Sequence, residues 1–213
     1  MSEIAEAIKK LEEKKVLQLV KEKLDAEEDP IKILEACRMG ITEIGKGFGD
    51  TVFLTELIMA AEIFNEAMEL LKPKLVGSSK KSLGKIIIGT VEGDIHNIGK
   101  DIAIKFLKAE GFDVIDLGVD VPAQKFIDAI KEHNPPVVGM SGLLTLSIKP
   151  MKKSIEAIAT ANLRGGLKVI IGGERTDEEV CKYVGADAWA NDAIEGVKII
   201  KKLGRRCLKN GQC

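Results

Sequence analysis

The feature of the sequence that most restricts the fold is an alternation of apolar runs and helical patterns from residue 85 onward. Five apolar runs predict buried strands: KIIIGT, FDVIDLG, PPVVGMSG, LKVIIGG and ADAWA. They are followed in turn by helical patterns: residues 98–110, PAQKFIDAIKEH, KPMKKSIEAIATA, TDEEVCKYVG and DAIEGVKIIKKL. Pro122 opens the second of these helices, and Thr176 is the predicted cap of the fourth. Strands that alternate with helices of this length predict a parallel sheet of right-handed β–α–β units.

The predicted order of the strands places a ligand site at one edge of the sheet. Five strands favour the flavodoxin-like order 2-1-3-4-5, in which strands one and three are neighbours at the topological switch point. Ligands of such sheets bind outside the carboxyl ends of the strands at that point. The turns after strands one, three and four carry small and polar residues, with the sequences GTVEGDIHNIG, SGLLTLS and GGERTD. We therefore expect the site where these three turns converge.

Residues 1 to about 75 have a different pattern, with helical periodicity and almost no strand signal. Asp29 and Pro30 predict the start of one helix, with Asp29 as its N-cap. A second helix is predicted from Leu54 to Pro73, where the proline is expected to stop it. The apolar residues of the first helix recur at close to helical spacing, and a further set marks a helix upstream: Ile31, Leu34, Met39, Ile41 and Ile44, then Val16, Leu17, Leu19, Val20 and Leu24. Helices joined by short loops predict a small bundle.

A polar linker, VGSSKKSLGK at residues 76–85, separates the two patterns. We therefore predict a helical domain over residues 1–78 and an α/β domain over 84–206, followed by a tail at 207–213.

Charge and composition narrow the classes of partner. The chain has 32 Lys and Arg against 33 Asp and Glu, a balance that removes the electrostatic case for nucleic acid or an anionic membrane. No run of about 18 uncharged apolar residues is present, and the start, MSEIAEAIKK, lacks the apolar region of a signal peptide. We expect a cytoplasmic protein with free thiols, because no C-x-x-C pair occurs among its cysteines: Cys37, Cys181, Cys207 and Cys213.

The loop GTVEGDIHNIGK, residues 89–100, does not match the common nucleotide-binding motifs. Its glycines, Gly89, Gly93 and Gly99, are four and six residues apart rather than in the G-x-G-x-x-G pattern. Gly99-Lys100 is followed by Asp101, which excludes a P-loop. The chain is only 4% aromatic, which disfavours a flavin site that depends on stacked rings.

His96, in this loop, is one of only two histidines in the chain. A lone histidine is more often packed or hydrogen-bonded in a turn, and catalytic zinc needs three protein ligands. The other histidine, His133, precedes strand three and so belongs to the opposite edge of the sheet. One histidine suffices for a metal that brings its own equatorial ligands, as in a tetrapyrrole-like macrocycle, and Asp94 would then fix the imidazole tautomer. The residues alone leave these interpretations open.

Three motifs together resemble the cobalamin-binding domain. GDIHNIG, then SGL at Ser141, then Gly172-Gly173 resemble the D-x-H-x-x-G…S-x-L…G-G pattern of methionine synthase, the corrinoid mutases and the corrinoid proteins of methyltransferase systems. The segment from Asp116 to Pro122 extends the match. GFGDTVFLTELIMAAEIFNEAM resembles the helical cap that precedes this domain in methyl-transferring members. The resemblance covers nearly the whole chain and implies a helical cap followed by a Rossmann-like, doubly wound, five-stranded parallel sheet.

By that resemblance His96 would be the lower axial ligand of cobalt, displacing the nucleotide base of a cobamide (the base-off/His-on form). Asp94 would accept the imidazole N–H, and Ser147 would complete a hydrogen-bonded triad with a catalytic role. The residues expected to contact the cofactor are Gly93, Asp94, Ile95, His96, Asn97, Ile98, Gly99, Ser141, Leu143, Thr145, Ser147, Gly172, Gly173, Glu35 and Leu57. Of these, Ser141, Leu143 and Thr145 would line the channel for the displaced nucleotide tail, with Gly172 and Gly173 giving it close approach to the backbone.

The helical half carries weaker signals. The apolar residues expected to shield the upper face of the corrin are Phe53, Leu54, Leu57 and Met59, with Glu35 as a further contact; an ordinary bundle core is the alternative. Two positions depart from the family pattern: Asn97 stands where the family often has Asp, and Thr55 replaces a frequent Pro.

The resemblance implies a corrinoid methyl carrier, a non-catalytic subunit that shuttles a methyl group as methyl-Co(III). We expect three partner proteins: a substrate:corrinoid methyltransferase, an acceptor methyltransferase that uses tetrahydrofolate or a thiol, and a reductive activator. The linker at 76–85 would be the hinge on which the cap moves. The alternatives are the small subunit of an adenosylcobalamin-dependent mutase, which usually lacks the cap, a non-enzymatic cobalamin sensor, and a flavodoxin-like signalling domain without a cofactor.

Overall fold

The computed structural model describes residues 2–75 and 82–209 and divides into two compact units on either side of residue 81. Most of the predicted hinge, residues 76–81, lies outside the described residues. The same holds for the side chains of residues 204–209 and for all of 210–213, so the thiols of Cys207 and Cys213 are not described.

The described residues of the first unit form four helices, in line with the predicted small bundle. The helices are α1 (Glu3–Lys9), α2 (Glu13–Asp25), α3 (Pro30–Gly47) and α4 (Leu54–Leu75). The predicted N-cap is confirmed, since a carboxylate oxygen of Asp29 accepts the N–H of Ile31 at 2.9 Å. The largest fully buried side chains of this unit are Ile4, Ile8, Ile33, Ile41, Leu57, Phe64 and Leu71.

Two details of the helical prediction are wrong. Met39, predicted on the apolar face of α3, is 51% exposed, and Cys37 and Gly40 lie on the buried face instead. Pro73 does not stop α4, which continues to Leu75. A proline removes a single helical hydrogen bond, the one to the carbonyl four residues before it, and in the last turn few bonds remain to be disturbed.

The second unit contains the predicted alternation of strands and helices. In chain order its elements are β1 (Lys85–Thr90), α5 (Ile98–Glu110), β2 (Asp113–Asp116), α6 (Ala123–His133), β3 (Val137–Ser141), a short 3-10 helix (Thr145–Ser147), α7 (Ile148–Thr160), β4 (Lys168–Gly172), α8 (Glu178–Val184), β5 (Ala188–Ala190) and α9 (Ala193–Lys209). All the strands are parallel, and their order, β2-β1-β3-β4-β5, confirms the predicted one. The predicted fold class, a helical bundle before a doubly wound parallel sheet, is therefore confirmed.

The register of the strands aligns their carboxyl ends. Thr90 of β1 pairs with Ser141 of β3, Ser141 pairs with Gly172 of β4, and Gly172 pairs with Ala190 of β5. Buried residues of the strands, including Ile87, Val138, Val169 and Ile171, pack with Phe126, Met151 and Ile155 of the helices into one core. Because the strands end level with one another, the turns that follow them leave from the same edge.

The predicted cap of α8 is wrong by one residue. The N-cap is Asp177, whose carboxylate accepts the N–H of Val180 at 2.8 Å. The Thr176 side chain is buried, and its hydroxyl lies 2.7 Å from the carbonyl oxygen of Gly173 and 2.8 Å from that of Ala190. Thr176 thus links the end of β4 to the end of β5 rather than starting the helix.

None of the helices in the described part of the chain combines the length and the apolar character needed to span a membrane.

Asp187 anchors the opposite, amino-terminal edge of the sheet. Its carboxylate accepts the backbone N–H of Val169 and hydrogen bonds from Arg164 and Lys168, each at 2.8 Å. Burial alone would raise the pKa of Asp187, but these donors outweigh it and hold the pKa below its usual value. An ionised carboxylate at this position therefore stabilises the folded state.

We expect Asp187→Asn to lower the free energy of unfolding by about 2 kcal/mol at neutral pH, because charge-assisted hydrogen bonds are lost. A depressed folded-state pKa contributes stability above the unfolded-state pKa of about 3.9, and this contribution is lost as the pH falls through the folded-state value. The difference from wild type should therefore shrink in acid. Urea unfolding at pH 7, 4 and 3, with the exposed Asp128→Asn as control, measures it; a difference independent of pH would contradict the assignment.

Candidate functional site

The loop after β1, residues 91–97, presents a histidine held by a buried carboxylate. Asp94 is fully buried, whereas the His96 side chain is 48% exposed. Nδ1 of His96 lies 2.7 Å from Oδ1 of Asp94, and the same oxygen accepts the backbone N–H of His96 at 2.9 Å. From β1, the buried Thr90 hydroxyl donates to the His96 carbonyl oxygen at 3.1 Å. The imidazole is thus fixed on its Nδ1 side.

The second oxygen of Asp94 joins this loop to the turn after β3. Oδ2 accepts the backbone N–H groups of Leu143 at 2.7 Å and Leu144 at 3.3 Å, together with the Ser147 hydroxyl at 2.6 Å. His96, Asp94 and Ser147 consequently form one hydrogen-bonded series across the switch point between β1 and β3. Ser147 occupies the N-cap position of α7 without capping it, because its hydroxyl is directed to Asp94.

The protonation state of the pair follows from these contacts. Burial alone would raise the pKa of Asp94, but hydrogen bonds from Ser147, His96 and Leu143 more than offset burial and hold the pKa well below its usual range. An ionised Asp94 accepts hydrogen bonds only, so the hydrogen of a neutral imidazole resides on Nδ1. Nε2 then carries the lone pair, and it makes no hydrogen bond within the described part of the α/β unit. The arrangement therefore offers one nitrogen donor of defined tautomer.

The turns at this edge carry most of the exposed large apolar side chains of the α/β unit. Ile95 is 73% exposed and Leu146 is 79% exposed. The other members, less exposed, are Ile98, Val119, Leu143 and Leu144. Within the described part of this unit, Tyr183 is the one large exposed apolar residue elsewhere. Exposed apolar groups gathered around a few polar ones are typical of a ligand site.

The glycines at this edge fall into two kinds. A side chain at Gly173, whose φ is +141°, would collide with the carbonyl oxygen of Gly142, and one at Gly142 would lie 2.6 Å from Cβ of Ser147. Gly173 is therefore required by the contact between the turns after β3 and β4, where the Gly142 N–H donates to the Gly172 carbonyl at 2.9 Å. Gly142 is required by packing within the segment that follows β3. A side chain at Gly99, in contrast, would meet nothing within 4 Å. No contact within the described residues therefore explains a glycine at 99.

The remaining predicted contacts of the α/β unit lie at the same edge. Ser141 is the last residue of β3, Thr145 begins the 3-10 helix, and neither caps α7. Asn97 precedes α5, and its side-chain amide donates to Asp101 at 2.9 Å. Gly93 adopts φ of +81°, which favours glycine.

The two cofactor contacts predicted in the helical unit differ in exposure. Leu57 is fully buried, and the Glu35 side chain is half-exposed, 3.7 Å from Arg38. Phe53, Leu54 and Met59 are exposed, Phe53 to 75%.

Sequence reasoning missed several residues that support the loop. Lys100 is buried, with a side chain only 2% exposed, and pairs with Asp116 at 2.8 Å and Asp101 at 2.6 Å. Asp120 accepts the N–H of Gly93 at 2.7 Å. The signal available for both was the segment from Asp116 to Pro122, which the resemblance matches without assigning a role to it.

No group of three or more His, Cys, Asp and Glu side chains among the described residues could hold a metal ion. His96 therefore stands as a single protein donor. It suits a metal that arrives with its other ligands.

Known proteins resemble this chain in both sequence and fold. Two family models, each described as a B12 binding domain, match residues 84–198 and 2–72. The trimethylamine corrinoid protein 1 of Methanosarcina mazei is 36% identical over 200 residues, which cover 92% of this chain and 93% of the relative. The crystal structure of a cobalamin-binding protein from Desulfitobacterium hafniense DCB-2 superposes with a TM-score of 0.76 at 39% identity, covering 94% of this chain and 96% of that one.

The crystal structure of the methanol:cobalamin methyltransferase complex MtaBC from Methanosarcina barkeri is a further match. Its TM-score is 0.82 at 24% identity, over 99% of this chain and 83% of that one. At that identity the likeness concerns the fold alone.

Proposed function

The chain belongs to the B12-binding family of corrinoid proteins, and from that premise we propose that it is a methyl carrier with His96 as the lower axial ligand of its cobamide. The observation that carries the proposal is the geometry of one side chain. The His96 imidazole is held at Nδ1 by the buried Asp94, with Nε2 left without a hydrogen-bond partner in the described part of its unit. This is the arrangement in which a second-sphere carboxylate orients a metal-ligating histidine.

The residues at the edge of the sheet fit a cobamide in their chemistry. A cobamide would bring its own nitrogen ligands for cobalt, and His96 would provide the one nitrogen ligand from the protein. Its broad face suits the exposed apolar side chains of Ile95, Ile98 and Leu146. Gly99, where a side chain would meet open space, leaves room for the cofactor next to the first turn of α5.

Each residue of the series has a distinct part in the proposed mechanism. A bound cobamide would supply the cobalt centre for transfer of the methyl group. Asp94 keeps the hydrogen on Nδ1 and so presents the lone pair of Nε2 to the metal. The Ser147 hydroxyl donates to Asp94 and stabilises its charge in a buried environment. Together they set the basicity of His96, and with it the strength of axial ligation.

The partner proteins follow from the carrier role. We propose that a substrate:corrinoid methyltransferase delivers the methyl group and that an acceptor methyltransferase, acting on tetrahydrofolate or a thiol, removes it. A reductive activator would restore the reduced cofactor after accidental oxidation. The names of the relatives, trimethylamine and dimethylamine corrinoid proteins, support a methylated amine as the donor.

Reconstitution tests the function directly. Purified apoprotein is mixed with hydroxocobalamin, reduced under anaerobic conditions, separated from free cofactor and analysed for cobalt. We expect one cobamide per chain, and methylation of the bound cofactor when a methylamine:corrinoid methyltransferase and its amine are added. Failure to retain any cobamide would overturn the carrier assignment.

Gly99→Leu separates cofactor binding from folding. A Cβ at position 99 would have no described atom within 4 Å beyond its chain neighbours and its own helix backbone, and leucine replaces glycine within a helix, so the apoprotein should be as stable as wild type or slightly more stable. Retention of cobamide should fall by at least about tenfold, because the side chain occupies space proposed for the ligand.

The matched control is Gly165→Leu. Gly165 also has open space at its Cβ position, but it precedes β4 and therefore lies at the other edge of the sheet. Its loading should match wild type. Equal loading of the two leucine variants would contradict the proposed position of the ligand.

A further inference from the structure

We propose that Asp120 is a positioning residue for His96, acting through the loop that carries the axial ligand. Asp120 lies in the turn between β2 and α6, outside the series formed by His96, Asp94 and Ser147. The inference deepens the proposed function and rests on it, because its consequence is the strength of axial ligation.

Asp120 is linked to the His96 loop by two hydrogen bonds, one that its side chain accepts and one that its backbone donates. Its carboxylate oxygen Oδ1 accepts the backbone N–H of Gly93 at 2.7 Å. Its own backbone N–H donates to the carbonyl oxygen of Asp94 at 2.9 Å. The two bonds hold the peptide group before Gly93 and the peptide group after Asp94, and so fix the backbone on both sides of this pair of residues. They therefore determine where the Asp94 side chain begins, and Asp94 in turn holds the imidazole.

Asp120 and Gly93, which share the side-chain hydrogen bond, both have an uncommon backbone conformation. Asp120 has φ of +52° and Gly93 has φ of +81°. A residue with a side chain adopts left-handed φ at a cost of about 1 kcal/mol, although Asp and Asn tolerate it better than most. Such a conformation at a ligand-binding edge is a reason to look for a positioning role.

The turn that carries Asp120 is itself anchored to the sheet. Val121 donates its N–H to the Thr90 carbonyl at 2.9 Å, and Thr90 donates its own to the Gly118 carbonyl at 3.0 Å. The Asp116 carboxylate accepts the N–H of Gly118 at 2.9 Å and pairs with the buried Lys100. Asp120 is therefore held on a rigid support, as a positioning residue must be.

The carboxylate of Asp120 has little part in the stability of the fold. Asp120 and Gly93 are both exposed, so water can replace the hydrogen bond between them at small net cost. Its removal should loosen the loop without unfolding the domain. This separation makes the role testable.

Two substitutions isolate the carboxylate. Asp120→Gly removes the acceptor and tolerates the left-handed backbone, whereas Asp120→Asn keeps both an oxygen acceptor and a side chain that accepts positive φ. Asn134→Gly is the matched control, because Asn134 has φ of +45° but ends α6 at the opposite edge of the sheet.

The measurements are amide hydrogen exchange of residues 93–96 in the apoprotein and the fraction of His-ligated cobalt in the Co(II)-loaded protein. In Asp120→Gly we expect exchange to be about threefold to tenfold faster and the ratio of ligated to unligated cobalt to fall by a similar factor, with melting temperature retained. Asp120→Asn should restore both values towards wild type, and Asn134→Gly should change neither.

The outcomes distinguish the inference from the function on which it rests. Wild-type protein that holds cobamide without a histidine nitrogen on cobalt would overturn both. His-ligated wild type together with unchanged exchange and ligation in Asp120→Gly would overturn the role of Asp120 alone. Equal effects in Asp120→Gly and Asn134→Gly would also overturn it, since they would trace the change to backbone freedom and not to the carboxylate.

Discussion

Replacing His96 by alanine is expected to abolish the lower axial nitrogen while leaving the apoprotein folded. The side chain is 48% exposed, and Asp94 retains its hydrogen bonds to the His96 N–H, Leu143, Leu144 and Ser147. The free energy of unfolding should therefore change by no more than about 1 kcal/mol. Affinity for the cobamide should fall by at least about 100-fold, since loss of an outer-sphere partner alone costs a metal site 10- to 100-fold.

Visible absorption of the loaded protein measures this effect, with urea unfolding of the apoprotein in parallel. His133→Ala is the matched control, because it removes the other histidine. His133 is the last residue of α6 and lies at the opposite edge of the sheet. A His96→Ala protein with the wild-type spectrum and affinity would show that the imidazole is not the ligand. A loss shared by His133→Ala would contradict the assignment to His96.

Asp94→Ala is expected to have the largest effect on stability at the site. The carboxylate accepts five hydrogen bonds, from the backbone and side chain of His96, from Leu143 and Leu144, and from Ser147. Asp94 is fully buried, so alanine leaves donors without an acceptor. Each unsatisfied buried group costs about 1–3 kcal/mol, and we expect a total loss of about 3–5 kcal/mol after relaxation. The turn after β3 would lose its tie to the His96 loop.

Ser147→Ala provides the graded comparison, because it removes one of the donors to Asp94 and no acceptor. Its cost should be about 1 kcal/mol, with partial loss of His ligation. In a double-mutant cycle the two substitutions should couple, since the Ser147 hydroxyl donates to the Asp94 carboxylate. Equal destabilisation by Asp94→Ala and Ser147→Ala, or additive effects, would contradict the view that one carboxylate organises both turns.

The fold was predictable because local patterns and topology determine most of it. Apolar runs separated by helical periods give the β–α–β units, and the switch point follows from the strand order. Predictions failed where a local signal had a tertiary competitor. Thr176 has the side chain of a cap, but its hydroxyl is engaged between the ends of β4 and β5. Met39 continues the apolar spacing of α3, yet it falls outside the face that packs.

The candidate site was predictable from its motifs, but the residues that hold the His96 loop in place were not. His96, Asp94 and Ser147 occupy motif positions, so the resemblance identifies them residue by residue. Asp120 and Gly93 are 27 residues apart, and only the parallel pairing of β1 with β2 brings their turns together. The need for glycine at 173 likewise arises from a neighbouring turn, because its Cβ would collide with the carbonyl oxygen of Gly142. Such pairs carry no signal at the level of a single sequence segment.

Ligation of cobalt by His96 can be measured by electron paramagnetic resonance of the Co(II)-loaded protein, prepared with natural-abundance and with ¹⁵N-labelled histidine. If Nε2 of His96 ligates cobalt, the superhyperfine pattern of the axial nitrogen will change from three lines to two on labelling, and it will vanish in His96→Ala. A pattern that does not respond to the label would place another nitrogen on cobalt, such as that of the cofactor's own base. That result would contradict the assignment of His96 as the cobalt ligand.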